Sequence, residues 1–132
     1  MNKVASDKNA GPISLPRKTI LVVDDDPCFR DLTVTILSRA GYQVVEAADG
    51  TEAVLSVCNS PVDLVITDIV MPNREGIETI RYFSKALPNI PIVAVSGISS
   101  YLRPAKALGA AATLEKTSVI TDLLGTVQSV IG

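Results

Sequence analysis

The sequence predicts an α/β protein with a parallel sheet covered by helices on both faces. From residue 19 onward, short apolar runs alternate with longer segments in which apolar residues recur at helical spacing, the pattern of repeated strand–helix units. Three of the short runs are almost continuously apolar, as is typical of strands buried under helices on both sides. A chain of 132 residues, 47% apolar and 20% charged, fits one domain of ordinary size.

Five of the apolar runs are predicted to be strands. They are 19–23 (TILVV), 42–46 (YQVVE), 63–67 (DLVIT), 91–95 (PIVAV) and 111–114 (AATL). Five strand–helix units favour a doubly wound, flavodoxin-like sheet of order 2-1-3-4-5, because the other common order needs a sixth strand. In this topology the functional site lies beyond the carboxyl ends of the strands where the order reverses, between the first and third strands.

The first helix is predicted to begin at Pro27 and to end before Gly41. Asp26 suits the N-cap position, and proline suits the first helical position because the N–H that it lacks is not needed there. Glycine commonly follows the end of a helix. Phe29 is the first of the apolar residues that recur at helical spacing in this segment.

Three further segments have regular helical spacing and are predicted to be helices: 49–58, 76–87 and 117–131. In the last of these, Ile120 and Leu123 are placed among the residues that face the core. The segment 99–108 is expected to form a truncated or irregular helix, because Pro104 lies inside it and either starts or breaks the helix.

The composition excludes several kinds of chemistry. The chain contains no histidine, which rules out a Ser-His-Asp triad, a histidine-ligated zinc site and a phosphohistidine within the chain. A net charge of −2 without a long single-sign block gives no sign of nucleic-acid binding. Cys28 and Cys58 lie far apart and form no metal-binding spacing, so we interpret them as small apolar residues in a reducing compartment.

Residues 1–18 are polar and contain Gly11, Pro12 and Pro16. They include no apolar run of signal-peptide length, and we predict a flexible tail followed by one domain over residues 19–132. No segment approaches the ~20 apolar residues that a membrane helix needs, so we expect a cytoplasmic protein without membrane insertion. Because the chain stops just after the last predicted helix, we also expect no attached output domain.

Polar side chains stand at the predicted carboxyl ends of the strands. Three consecutive aspartates, 24–26, follow the first strand, Asp68 follows the third, Ser96 the fourth and Lys116 the fifth. Neighbouring carboxylates repel one another or require a cation, and their oxygen atoms suit Mg²⁺ or Mn²⁺. A carboxylate, a metal, a hydroxyl and an ammonium meet the needs of phosphoryl transfer onto an aspartate. Asp26 is interpreted as a helix cap rather than as a ligand.

Four motifs occur in a recognisable order: ILVVDDDP at 20–27, VITDIVMP at 65–72, VAVSG at 93–97 and LEK at 114–116. Together they resemble the response-regulator receiver domains of two-component signalling, in particular the single-domain, chemotaxis-regulator-like type. The resemblance covers residues 19–131. Members of this family have the strand order predicted above, so the two predictions are not independent.

The resemblance implies a role for each polar residue at the strand ends. Asp68 would accept the phosphoryl group. The implied ligands of Mg²⁺, or of Mn²⁺ in its place, are Asp24, Asp25, Asp68 and the backbone carbonyl of Val70. Ser96 would supply the hydroxyl that switches position on phosphorylation, and Lys116 would pair with the phosphoryl group.

The resemblance also implies partners. A protein of this kind would take phosphoryl from a sensor histidine kinase or a histidine phosphotransfer protein and would signal by contact with a downstream target protein, as a monomer or a homodimer. It would catalyse only its own phosphorylation and dephosphorylation.

Two alternatives stay open at this point. One is a receiver-like interaction module that works without phosphorylation. The other is a small Mg²⁺-dependent phosphatase with an aspartate nucleophile, because Asp24 and Asp26 form a DxD motif after a strand, as in haloacid-dehalogenase-like enzymes.

Three positions depart from the family pattern. Thr113 stands in the fifth strand where an aromatic residue is usual, Thr117 follows Lys116 where proline is expected, and Pro104 lies in a shortened fourth helical segment. All three fall on the fourth helix, fifth strand and fifth helix, the face through which receivers commonly dimerise or meet targets. The usual route from the site to that face is therefore expected to be altered.

Two apolar residues, Val70 and Ile98, flank the predicted acceptor by resemblance to the family. Positions of this kind tune the access of water to the acyl phosphate. We therefore predict slow self-dephosphorylation.

Overall fold

A computed structural model of the chain describes residues 17–69 and 75–132. A five-stranded parallel sheet forms its centre, with the strands in the order β2-β1-β3-β4-β5. The strands are β1 Thr19–Val23, β2 Gln43–Ala47, β3 Leu64–Asp68, β4 Ile92–Ser96 and β5 Ala112–Glu115. The predicted fold class and strand order are confirmed.

The predicted start of every strand after β1 is one residue too early. At β2 the reason is visible, because the Tyr42 N–H still donates to the Leu37 carbonyl at the end of the first helix, at 3.2 Å. The ladder begins only where Gln43 pairs with Thr19. An apolar side chain at the boundary therefore looks like part of the strand in the sequence while its backbone still belongs to the preceding turn.

The described residues form five α-helices: α1 Pro27–Arg39, α2 Gly50–Asn59, α3 Glu75–Ala86, α4 Leu102–Ala107 and α5 Val119–Ile131. The first four connect successive strands, and α5 follows β5. The expected irregularity of the fourth helix is confirmed, because a 3-10 turn over Ser99–Tyr101 leads into a helix of only six residues. Pro104 lies in the first turn of α4, where its missing N–H costs no hydrogen bond. None of the described helices has the length and apolar character required to cross a bilayer.

The core consists of two layers, one on each face of the sheet. Along β1, Leu21 and Val23 point to the layer that includes residues of α2, α3 and α4, whereas Ile20 and Val22 point to the layer that includes residues of α1 and α5. This alternation follows from the two-residue period of a strand. Both faces of the central strands are thus apolar and covered, so their polar residues come at the ends.

The inward face of α5 differs from the prediction by one residue. The prediction that Ile120 faces the core is wrong, because its side chain is 73% exposed, and Val119 is buried instead. The chain enters α5 through a 3-10 turn over Lys116–Ser118, which has three residues per turn instead of 3.6. Within α5 itself the buried residues Val119, Leu123 and Val127 follow one another at intervals of four, so the apolar stripe runs through Val119 and leaves Ile120 beside it in solvent.

Gly109 makes the turn from α4 into β5 possible. Its φ is +121°, and a Cβ at this position would lie 2.5 Å from the Ser84 Oγ on α3. The Ser84 hydroxyl in turn donates to the Leu108 carbonyl at 3.3 Å. Both the backbone conformation and the space at this position therefore require glycine.

Replacing Gly109 by alanine should reduce the free energy of unfolding by about 2 kcal/mol or more, because a side chain adds backbone strain and a collision with Ser84. Gly125 in α5 is the matched control, since a Cβ there meets no atom within 4 Å. Gly125→Ala should instead stabilise the protein by roughly 0.5–1 kcal/mol through helix propensity. Urea unfolding of both variants measures the difference, and equal effects would contradict this account of Gly109.

Candidate functional site

The carboxyl ends of β1 and β3 bring two aspartates together. Val23 of β1 pairs with Thr67 of β3, so the next residues, Asp24 and Asp68, lie side by side at the edge of the sheet. Both are buried, at 2% and 3% exposure, while the neighbouring Asp25 is exposed. A carboxylate oxygen from each of the three lies within 4.8 Å of the others.

Lys116 follows β5 and reaches this cluster with its ammonium group. Its Nζ lies 2.9 Å from Asp68 Oδ2 and 3.1 Å from Asp24 Oδ2. The lysine side chain is only 22% exposed. One cation thus bridges two buried carboxylates that would otherwise repel each other.

The loop after β1 is held in place by backbone contacts. The Asp26 N–H donates to Asp24 Oδ1 at 2.9 Å, and Arg30 Nη1 donates to the Asp24 carbonyl at 2.6 Å. Arg30 also forms an ion pair with Glu46 of β2, at 3.1 Å. Asp26 caps α1 as predicted, because its side chain accepts from the N–H groups of Cys28 and Phe29.

Burial and charge shift the pKa of both kinds of group in the cluster. Burial raises the pKa of Asp24 above its ordinary value, and repulsion by Asp68 adds to this rise, although the Asp26 N–H and Lys116 oppose it. Burial alone would lower the pKa of Lys116, but the hydrogen bonds and charges of Asp68 and then Asp24 outweigh it, so the net pKa is raised. The ammonium form of Lys116 is therefore favoured, whereas the ionised form of Asp24 is costly.

The hydroxyl of Ser96, the predicted switch residue, points toward the loop that follows β4. Ser96 is fully buried at the end of β4. Its Oγ donates to the Ile98 carbonyl and accepts from the Ile98 N–H, both at 2.9 Å. Val70, predicted to offer a backbone carbonyl, lies outside the described residues.

The residues present fit a hard divalent cation. Three carboxylates each place an oxygen within 4.8 Å of the others, and carboxylate oxygens are the ligands that Mg²⁺ prefers. Of these, Asp24 and Asp68 currently share the ammonium of Lys116. A cation at this cluster would offset the burial and the repulsion by Asp68 that raise the pKa of Asp24.

Two contacts of the site were not predicted from the sequence. The ring of Phe29 lies under the Lys116 ammonium, with Nζ 4.4 Å from the ring centroid. Arg30 fixes the Asp24 carbonyl. The sequence placed Phe29 only among apolar residues of α1, and no local pattern connects it with a lysine 87 positions further along the chain.

Asp24→Asn should stabilise the metal-free protein at neutral pH. Because the pKa of Asp24 is raised in the folded state, folding favours its protonated form, and stability falls as pH rises from the ordinary value of 3.8 through the raised one. Asparagine removes that cost and keeps an acceptor for the Asp26 N–H.

Thermal unfolding in EDTA should therefore give a higher Tm for Asp24→Asn at neutral pH. The gain should shrink as the pH is lowered through the raised pKa of Asp24. Asp122→Asn, at an exposed site on α5, serves as control and should show no such change. A destabilised Asp24→Asn at neutral pH would show that the ion pair with Lys116 outweighs the burial cost.

Comparison with known proteins agrees with this geometry. The family model for the response regulator receiver domain matches residues 20–128. The uncharacterized transcriptional regulatory protein YrkP of Bacillus subtilis is 47% identical over 83 residues, which cover 63% of this chain and 35% of YrkP. The CAI-1 autoinducer sensor kinase/phosphatase CqsS of Vibrio cholerae is 36% identical over 102 residues, covering 74% of this chain and 15% of CqsS.

The chain thus spans only a small part of the length of these curated relatives. Among solved structures, it is similar along nearly its whole length to the response regulator TrrA of Thermotoga maritima, which was determined in complex with Mg²⁺-BeF. The TM-score is 0.78 at 31% identity, with 85% of this chain and 97% of TrrA covered. Because the family model matches most of the chain, and the fold and acidic cluster agree with it, this chain belongs to the response regulator receiver domain family.

Proposed function

We propose that Asp68 accepts a phosphoryl group from a sensor histidine kinase or a histidine phosphotransfer protein, with Mg²⁺ bound at Asp24, Asp25 and Asp68. The observation that carries this proposal is the Lys116 ammonium, which lies 2.9 Å from Asp68 Oδ2 where the order of the sheet reverses. Phosphorylation on aspartate and the use of Mg²⁺ are general properties of the family. The TrrA structure includes Mg²⁺ with a fluoroberyllate.

In this reaction an Asp68 carboxylate oxygen attacks the phosphorus of a phosphoimidazole. The new bond joins this oxygen to phosphorus, and the bond between phosphorus and the imidazole nitrogen breaks, so the donor histidine leaves with the electron pair. Bound Mg²⁺ would neutralise charge on the phosphoryl oxygens. Lys116 is close enough to Asp68 to bind a phosphoryl oxygen, and its raised pKa keeps it charged.

Ser96 would respond to the phosphorylated state. To donate to a phosphoryl oxygen, its hydroxyl has to leave the Ile98 carbonyl and release the Ile98 N–H. The loop after β4 is therefore the segment that we expect to rearrange. Its exposed side chains include Ile98 at 47% and Tyr101 at 46%, and a change there would alter the surface offered to a target protein.

In the same proposal residues 19–132 form the signalling domain, which acts through protein–protein contact; the N-terminal tail predicted for residues 1–18 lies, up to residue 16, outside the described residues. Thr113 is half-buried in β5 and provides no aromatic ring to couple Ser96 to the α5 side of the surface. We therefore expect phosphorylation to act on a target protein through a change in the loop after β4.

Incubation with acetyl phosphate and Mg²⁺ should add the mass of one phosphoryl group to the protein, and Asp68→Asn should abolish the gain. Asp122→Asn is the control, because it removes an exposed carboxylate of α5 and should leave the gain intact. Intact-mass spectrometry measures all three proteins. A mass gain that persists in Asp68→Asn would place the acceptor elsewhere.

The same samples discriminate the alternatives. A folded protein that takes up no phosphoryl group under these conditions would favour the interaction module. Turnover of p-nitrophenyl phosphate would favour the phosphatase. We expect phosphorylation without turnover of this ester.

The phosphorylated protein should lose its phosphoryl group slowly, because the positions of Val70 and Ile98 tune the access of water to the acyl phosphate in this family and both residues are apolar here; Ile98 is the one within the described residues. Ile98→Ala should shorten the half-life several-fold. Ile120→Ala removes a more exposed isoleucine on α5 and should leave the half-life unchanged. The decay of the phosphoprotein after removal of acetyl phosphate gives these rates, and a wild-type half-life of seconds would contradict the prediction.

A further inference from the structure

The Lys116 ammonium is surrounded on three sides. A lysine ammonium has three N–H donors, and two of its neighbours are the carboxylate oxygens of Asp24 and Asp68. The third neighbour is the ring of Phe29, with Nζ 4.4 Å from its centroid. This distance is well within the range over which the face of an aromatic ring attracts a cation.

The position of Phe29 is set by the same loop that holds the acidic cluster. Asp26 Oδ1 accepts from the Phe29 N–H at 3.4 Å, and the Asp26 N–H donates to Asp24 Oδ1 at 2.9 Å. Asp24 Oδ2 in turn contacts Lys116 Nζ at 3.1 Å. These contacts connect Asp24, Asp26, Phe29 and Lys116, so the backbone of Phe29 is held relative to the carboxylates and its ring starts close to the ammonium.

We propose that Phe29 is a positioning residue that holds the Lys116 ammonium against Asp68 through the face of its ring. This inference rests on the proposed function, because it assigns the ring a part in presenting the ammonium to the phosphoryl group. A metal ion held by Asp24 and Asp68 would compete with the ammonium for both carboxylates. The ring of Phe29 is not part of the acidic cluster, so its contact with the ammonium would be kept while the metal is bound.

A purely structural role for Phe29 makes a different prediction. Phe29 is half-buried and also packs against the apolar layer between α1 and α5. If only its volume mattered, leucine or methionine would replace it without effect on Lys116. If the ring face matters, only another aromatic residue retains the contact.

The deciding measurement is the ¹⁵Nζ–H signal of Lys116, recorded at low temperature and mildly acidic pH, and assigned by its loss in Lys116→Gln. This signal persists only while the ammonium exchanges protons slowly with water, and it needs no phosphorylation. We expect the signal to be present in the wild type and in Phe29→Tyr. In Phe29→Leu and Phe29→Met it should be broadened or lost.

Thermal unfolding identifies variants that are not folded. If Phe29→Leu does not fold, Phe29→Met provides the same comparison with a more flexible side chain. An unchanged signal in a folded leucine or methionine variant would overturn the proposal. An equal loss in the tyrosine and leucine variants would also overturn it, because shape rather than the ring face would then be decisive.

The rate of phosphorylation by acetyl phosphate provides the second readout. Phe29→Leu should be about three- to tenfold slower than the wild type, as expected when a partly desolvated cation–π contact is lost, and Phe29→Tyr should restore the rate. A leucine variant as fast as the wild type would overturn the role in phosphorylation. If the wild type takes up no phosphoryl group, the proposed function fails, whereas the ammonium signal still decides whether Phe29 positions Lys116.

Discussion

The repulsion between two buried carboxylates organises this end of the molecule. Asp24 and Asp68 follow adjacent parallel strands and are almost inaccessible to water, which makes their joint ionisation costly. Lys116 offsets part of this cost by contacting both carboxylates. Burial and then repulsion by Asp68 raise the pKa of Asp24 even with Lys116 in place, and a cluster of carboxylates that is costly to ionise is well suited to attract a divalent cation.

The rest of the fold supports this arrangement. Apolar side chains cover both faces of the sheet, so the strands are held in a fixed register and their carboxyl ends meet at one edge. The N-cap of α1 and the contact of Arg30 with the Asp24 carbonyl then fix the loop that follows β1. The acidic cluster therefore sits on rigid elements, whereas the hydroxyl of Ser96 belongs to a loop whose contacts are local.

The acidic cluster and the segment after β4 would therefore have different roles. The groups that would bind metal and phosphoryl are held by the sheet and by α1, while the segment after β4 begins with a 3-10 turn and a six-residue helix. Short helices with few buried side chains cost little to rearrange. Among the residues of α4, only Ala105 is buried. With a threonine at 113 in place of a ring, changes at the site are expected to reach the surface through this segment.

The sequence by itself determined the fold class, the strand order and the edge of the sheet at which the carboxylates gather. It could do so because strand and helix periods are local and because parallel strands share one carboxyl edge. The cap at Asp26 and the irregular start of α4 were likewise predictable, since both depend on neighbouring residues.

Only the tertiary structure decided which side chains meet. The two contacts of Lys116 with carboxylates and the ring of Phe29 beneath it depend on side-chain directions across strands and helices that are distant in sequence. The choice between Val119 and Ile120 depends on the rotation of α5 about its axis, because both residues lie within about one turn of the buried Leu123. The spacing of apolar residues shows that a helix or strand has an apolar face, but it does not fix the rotation of that element about its axis. Packing against the sheet selects the rotation.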